Sequence, residues 1–451
     1  MALTQVNQKL KFITVFVGVL FVNQANALGL LEAYDNALAN DSIFQAAMNE
    51  NEAGQQYKVI GRANLLPSVS ASYTYNKNDM DITYHSVITR TENRDYTSKN
   101  AAVQLRQPII NTEGWARYRQ GKAQTILSDK QLEVRKQDLI SRFFGLYVTA
   151  NYSENVLALA EAQRDAFKNQ LEANSRKSKF GEGTKTDLIE SQSKLGLAEA
   201  QVIEAEYNLL DSRNALATML GKEVTSLDRL SDSFESVALE PSDYKEWEEI
   251  AIQNNPEIAA QRETLEIATQ EIKRNRAGHM PRLDAVANIT KSTSDSVTTF
   301  NQDIDSKSIG LQLNIPLYSG GSVSALTLQA EANFKKAEND LESKTNEVLL
   351  NLRKQYSSVL SNILKVDALK QSVASAELQI DATKKSVVGG IRTNVDVLNA
   401  RKQLFEVKRD LSLTRYNYLV AYINLRKAAG VLTANDLDKI AVYFKPATAS
   451  N

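Results

Sequence analysis

The chain has no cysteine among its 451 residues. Disulfide frameworks, thiolate metal sites, catalytic thiols and a lipid anchor on an N-terminal cysteine are thereby excluded. Histidine is almost as scarce. Only His85 and His279 are present, no second ligand type clusters near either, and both read as polar surface residues. Neither sign of charge is in surplus, the formal net charge being −1, so the basic footprint of a nucleic-acid binder is missing. No Walker-type phosphate loop occurs, because Gly389-Gly390 lacks the lysine and Ser/Thr that such a loop needs. No cofactor, metal or catalytic group is expected. Long apolar runs are missing too, apart from Phe12–Val22, which falls short of the ~20 residues of a spanning helix. Any membrane insertion must therefore use β-strands.

That single run fits an export address. Lys9 and Lys11 precede it and Ala25-Asn26-Ala27 follows, the basic, apolar, small-x-small order of a cleavable signal. Residues 1–27 are expected to be a signal peptide, with Leu28 beginning the mature chain.

What the chain does contain is a duplication. The stretch Gly181-Glu-Gly-Thr-Lys-Thr-Asp-Leu-Ile189 has a twin 209 positions later, in Val387-Val-Gly-Gly390 and its continuation Ile391-Arg-Thr-Asn-Val-Asp-Val-Leu398. In both copies an apolar residue then recurs every seven positions. The series are Leu188, Leu195, Val202, Leu209, Leu216 and Val397, Leu404, Leu411, Tyr418, Leu425, Leu432. Such self-similarity means one elongated unit of two similar halves. The expected halves are residues 28–240 and 241–432, with a tail at 433–451. The irregular segment Gly221–Pro241 and the tail are expected beside the helices as a small collar.

Proline placement outlines the elements. The seven prolines stand at 67, 108, 241, 256, 281, 316 and 446, leaving 109–240 and 317–445 free of helix breakers. Between Pro67 and Pro108, and between Pro281 and Pro316, the apolar period falls to two. Val69, Ala71, Tyr73, Tyr75 and Ala101, Val103, Leu105 alternate with polar residues; so do Leu283, Ala285, Ala287, Ile289 and Ile309, Leu311, Leu313, Ile315. Strand pairs are expected at about 68–107 and 283–315. This alternation suits a strand with lipid on one face and water on the other, or a half-buried strand of a soluble sheet. Long helices on either side favour the first reading. Four strands are too few for a membrane barrel, which needs at least eight, and lipid tolerates no open edges. Closure requires several copies.

Leu30–Asn64 reads as one helix. Gly114–Arg176 reads as a second of ~63 residues, or ~95 Å, and Val323–Val387 as its counterpart. In the latter, Leu352, Val359, Val366, Val373, Ile380 and Val387 fall at intervals of seven; in the former, Leu132, Leu139, Leu146, Ala160 and Phe167 do so, interrupted at Ser153. Sustained heptads mean supercoiled helix packing. Each long helix turns back at the glycine stretch, and the returning helices end near Leu220-Gly221 and Ala429-Gly430, where glycine suits a C-cap.

Several segments carry a resemblance when taken in order. They are Leu66-Pro67, Gly278-His-Met-Pro-Arg-Leu-Asp284, Ile315-Pro-Leu-Tyr-Ser-Gly-Gly321, Arg392-Thr-Asn-Val-Asp-Val-Leu398, Arg415-Tyr-Asn-Tyr-Leu419 and Ala429-Gly430. Each is weak alone. At this spacing and across a duplication, residues 28–451 resemble the TolC family of outer-membrane factors. The resemblance implies a mixed α/β membrane protein: a homotrimeric twelve-stranded β-barrel, four strands per chain, continuing into a long α-helical tunnel through the periplasm. It implies passive export across the outer membrane of a Gram-negative bacterium, of proteins (type I secretion), drugs or other small molecules. The implied partners are a periplasmic adaptor (membrane fusion protein) and an inner-membrane ABC or proton-driven transporter that supplies the energy.

The same resemblance assigns roles at the second glycine turn. Arg392 matches a gate arginine, Asp396 an aspartate of the tip ring, and Asp187 the corresponding aspartate of the first copy. A ring of carboxylates in a narrow pore attracts cations. The residues themselves fit another role equally, since Thr184-x-x-Asp187 and Thr393-x-x-Asp396 are capping-box patterns; the two roles are compatible. The chain departs from the family at Asn399, where the ring's second aspartate stands, and at Val387, where a gate tyrosine stands. The first change weakens cation attraction and the second removes a hydroxyl link. Gly181, Gly183, Gly389 and Gly390 read as turn residues at tips where family adaptors dock. Tyr73, Tyr75, Tyr84 and Phe300 suit a membrane interface.

Two other readings are a periplasmic adaptor and a coiled-coil stalk. An adaptor usually has one hairpin rather than two equivalent pairs. A stalk would lack the helical return after each turn. The duplicated strand pairs argue against both.

Overall fold

The computed structural model describes residues 27–180, 184–231, 234–236, 239–294 and 301–445. The expected signal peptide (all but its last residue), Gly181, Gly183, Phe300 and the end of the tail lie outside the described residues.

The first half runs α1 (Leu30–Asn40), α2 (Ser42–Ala63), β1 (Ser68–Tyr84), β2 (Arg90–Ile110), α3 (Thr112–Lys179) and α4 (Lys185–Leu220). After the short β3 (Arg229–Leu230), the same order returns as α5 (Tyr244–Asn254), α6 (Pro256–Arg276), β4 (Arg282–Ser294), β5 (Gln302–Asn314), α7 (Ser322–Val388) and α8 (Asn394–Ala428). The chain then adds α9 (Ala434–Ala441) and β6 (Phe444–Lys445).

The single helix expected over Leu30–Asn64 is two helices, and Asp41 is the reason. Its backbone is extended, with ψ 109°. Its carboxylate accepts from the Phe44 N–H at 2.7 Å and from the Arg142 guanidinium of α3 at 2.9 Å. A short acidic side chain that captures a backbone N–H ends one helix and caps the next. Asn255 does the same in the second half, accepting from Glu257 and Ile258, with Pro256 at the first helical position.

The four long strands form one antiparallel sheet in the order β1-β2-β4-β5, so the β2–β4 pair joins the two halves. Register sets the faces. Val69, Leu105, Ala287 and Ile309 share one row, and Ala71, Val103 and Ile289 the next; on the reverse face Ser70, Gln104, Asn288 and Ser308 line up. Val69, Leu105, Ile289, Ile309 and Leu311 are exposed. The apolar face therefore has no cover within the chain, unlike a half-buried soluble sheet. β2 continues through Pro108, where the register shifts; proline is tolerated in a strand at such a bulge. At the base of the polar face, Asp284 is buried between Arg106 of β2 and Arg282.

The helices form two antiparallel hairpins, α3–α4 and α7–α8. α3 has 68 residues, or ~100 Å at 1.5 Å per residue. On α4, Val202, Leu209 and Leu216 of the expected series are buried, together with a companion series Ser191, Ala198, Ala205, Ser212 and Met219. Mostly small, these residues let α4 lie close to α3. Ser153 does not interrupt the α3 series; it is buried in place, and the series continues to Asn174. The main core lies midway along the hairpins, where Phe143, Phe144 and Tyr147 of α3 meet Leu30, Tyr34, Trp247, Tyr418 and Phe444. There β3 and β6 pair with each other, and Asn151 of α3 holds the strap by donating to the Asp228 carbonyl while accepting from the Tyr416 hydroxyl at 2.6 Å. Among the described residues, no helix is long and apolar enough to cross a membrane.

Candidate functional site

The second hairpin ends in a tight turn. At the end of α7 the Gly390 N–H donates to the Val387 carbonyl (3.1 Å) and the Ile391 N–H to the Ser386 carbonyl (3.0 Å). This paired closure requires a left-handed residue, and Gly390 supplies it with φ 73°. Gly389 is in ordinary helical geometry as the C-cap.

Asp396 follows one turn later. Its carboxylate accepts from the Thr393 N–H and from the Thr393 hydroxyl, each at 2.9 Å. Those hydrogen bonds hold its carboxyl below the usual carboxylate range, and the nearby Arg392 adds a smaller pull. Capping is thus a role Asp396 performs, and it performs it in the charged form. In the first hairpin Thr184 accepts from the Asp187 N–H at 3.1 Å, and Asp187 is partly exposed.

Arg392 donates to the Thr383 hydroxyl of α7 at 3.5 Å, a contact inside its own hairpin. The link between hairpins comes from other residues. Asn399 accepts from the Lys194 ammonium of α4 at 3.3 Å, and Arg401 donates to the Ala166 carbonyl of α3 at 2.9 Å. Leu398 is buried against Phe167 and Ala198. Val387 is half-buried.

Two features were not found in the sequence. Asn174 donates to the Ser191 hydroxyl at 2.7 Å, and Ser191 donates to the Asp187 carbonyl at 2.7 Å, with both side chains buried. The corresponding positions of the second hairpin are Thr383 and Ala400; alanine has no polar group, so that hairpin lacks the cross-helix bond. Only the seven-residue spacing of Ser191, Ala198, Ala205 and Ser212 could have signalled it. Second, Phe180, Val388 and Ile391 stand exposed at the tips. The site as a whole brings together a fixed carboxylate charge at Asp396, hydrogen bonds within and between the hairpins, and exposed apolar side chains at the tips.

The family model for "Outer membrane efflux protein" matches residues 33–222 and again 247–431. The chain belongs to the outer membrane efflux protein family. Among its relatives, the alkaline protease secretion protein AprF of Pseudomonas aeruginosa is 38% identical over 431 residues, covering 94% of this chain and 89% of AprF. The proteases secretion protein PrtF of Dickeya chrysanthemi is 37% identical, covering 95% and 93%. A solved structure of CusC superposes with a TM-score of 0.77 over 90% of this chain and 92% of its own, at 17% identity. As a member of the outer membrane efflux protein family, the chain is an outer-membrane channel-tunnel protein. The bare apolar face of its sheet is the lipid-facing side, and its polar face lines the lumen.

Proposed function

We propose that three copies of this chain close into one twelve-stranded barrel and one helical tunnel, and that proteins exported by type I secretion leave through it. An inner-membrane ABC transporter supplies the energy and a periplasmic adaptor joins it to the tips. The observation that carries this reading is the sheet. It has four strands, an apolar outer face and outer edges at β1 and β5 that no other described strand covers, while lipid demands a closed ring of at least eight strands. The cargo class is supported by AprF and PrtF, both named for protease secretion. At the periplasmic end, copies of Asp396 form a carboxylate ring that raises the local cation concentration, with Asp187 nearby and Asn399 contributing no charge. Arg392 holds the turn through Thr383, and the glycine tips present the docking surface.

The test is removal of the protein from its host, comparing secreted polypeptides in the culture medium with susceptibility to toxic small molecules. Loss of secreted polypeptides at unchanged susceptibility is expected. Intact secretion with raised susceptibility would assign the channel to small molecules instead.

A further inference from the structure

Where the four strands run side by side, the polar face of the sheet is uncharged above its base. From the row of Ser70 and Gln104 up to that of Thr74 and Asn100, none of its positions on any strand carries a charge. Charge appears only in the lowest rows, where Arg106, Arg282 and Asp284 stand together.

The Asp284 side chain is 2% exposed. It accepts from Nε and Nη2 of Arg106 through one carboxylate oxygen, and from Nε of Arg282 at 3.1 Å. One guanidinium neutralises one carboxylate, so the second leaves a positive charge in every copy. Nη1 of Arg106 and both terminal nitrogens of Arg282 have no protein partner among the described residues. The two arginine side chains are 42% and 37% exposed. They line an open cavity of about 340 Å³ where the sheet meets the helices. All its strand residues, Ser68, Arg106, Pro108 and Arg282, belong to the polar face. Glu113 and Arg117 of α3 also line it, but they are paired with each other at 2.7 Å.

Pairing of the strands does not require this charge, as the duplication shows. Pro67 and Pro281 open the two strand pairs, and Pro108 and Pro316 close them. Counted from those prolines, the places of Arg282, Asp284 and Arg106 are taken in the other half by Ser68, Ser70 and Asn314. The same sheet is built without charge in one half and with a positive surplus in the other.

We infer that Arg106 and Arg282 form a carboxylate-binding site at the base of the lumen, and that its ligands are acidic side chains of the exported polypeptide. This rests on the polar face lining the lumen and on the polypeptide cargo proposed above. A guanidinium fork presents paired N–H groups in the geometry of a carboxylate, and the free terminal nitrogens of Arg282 are such a pair. Asp284 holds both arginines from behind, so a ligand meets donors already ordered. Exposure to water keeps the contact weak, and a conducting pore needs sites that release what they bind. The uncharged rows beyond offer an acidic chain no second charged stop.

The test titrates the assembled protein, in detergent at low ionic strength, with a short oligoglutamate peptide in a calorimeter. Binding that fades with added salt is expected. Arg282→Gln should weaken it by about fivefold. Asp284→Asn, which frees both arginines from their internal carboxylate, should tighten it. The opposite signs separate binding from damage to the fold, because each substitution breaks the same ion-pair cluster. Absence of binding, or a shift in the same direction from both variants, would overturn the inference. Citrate bound as tightly as the peptide would overturn the polypeptide as the ligand. The lumen reading is checked separately in lipid vesicles, which the lack of native cysteine permits. Ser70→Cys should react with a hydrophilic maleimide, and Val69→Cys should not. The reverse pattern would overturn the lumen reading, whereas the expected pattern without peptide binding overturns the site alone.

Discussion

At Asp396 an observed role, the cap, meets the proposed one, a cation-attracting ring, in one side chain. A cap needs the carboxylate to accept backbone and hydroxyl hydrogen bonds, and a cation-attracting ring needs it charged. Because the Thr393 bonds favour the ionised form, each role supports the other. The pH consequence has a definite sign. A carboxyl held below its ordinary value keeps its charge, and the cap made by that charge, above the usual carboxylate range. Both are lost as pH falls through the depressed value. Cation selectivity, read as reversal potential in planar bilayers, is therefore expected to persist below ~3.9, the pKa of a free aspartate. Thr393→Val removes the hydroxyl bond and should move the midpoint upward; an unchanged midpoint would show that the selectivity lies elsewhere. Asp396 and Thr393 were legible in the sequence because capping depends on a local spacing of three. Asn174 and Ser191 were not, because an apolar heptad reading passes over small polar residues. Ser191→Ala leaves the buried Asn174 amide without its acceptor, a loss of about 1–3 kcal/mol. It should appear as faster hydrogen exchange at the α3–α4 tip, with the α7–α8 tip unchanged.

At the scale of elements, the breaks matter as much as the helices. Asp41 and Asn255 occupy matching places and each starts the helix that leads down to a strand pair. Asn255 carries an additional duty: its amide donates to the Ala428 carbonyl at the end of α8, at 2.9 Å in the interior. Gly430 packs directly on it, so that an added Cβ would come within 2.3 Å of the Asn255 Cα. Asn255→Ala removes both the cap and the partner of a buried carbonyl, at a cost of about 2–4 kcal/mol. The denaturation midpoint should fall accordingly, whereas Asn255→Asp, which keeps the cap, should recover part of the loss. Prolines framed the strands well, since Pro67 and Pro281 immediately precede β1 and β4. They misled only at Pro108, where a bulge admits the ring and β2 runs on to Ile110. The break at Asp41 escaped the sequence reading because one aspartate amid good helix formers looks helical until a tertiary partner, here Arg142, helps hold it out of the helix.

At the scale of the molecule, the long helices separate the sheet from the tips by ~100 Å, so the periplasmic end is remote from lipid. Yet Phe180, Val388 and Ile391 are bare there. Lipid, at the far end of the helices, cannot cover them. The adaptor proposed above would cover them, close to the Asn399–Lys194 and Arg401–Ala166 bonds that join the hairpins. Substituting Val388→Asn together with Ile391→Asn removes the apolar tips without adding charge beside Asp396, and leaves Gly390 and the Thr393–Asp396 cap in place. Assembly mass and bilayer conductance should therefore match the unmodified protein, while export from cells should fall at least tenfold. Unchanged export would move docking away from the tips. Altered conductance would instead make these side chains part of the constriction, because a residue that only receives a partner has no influence on a channel measured without one.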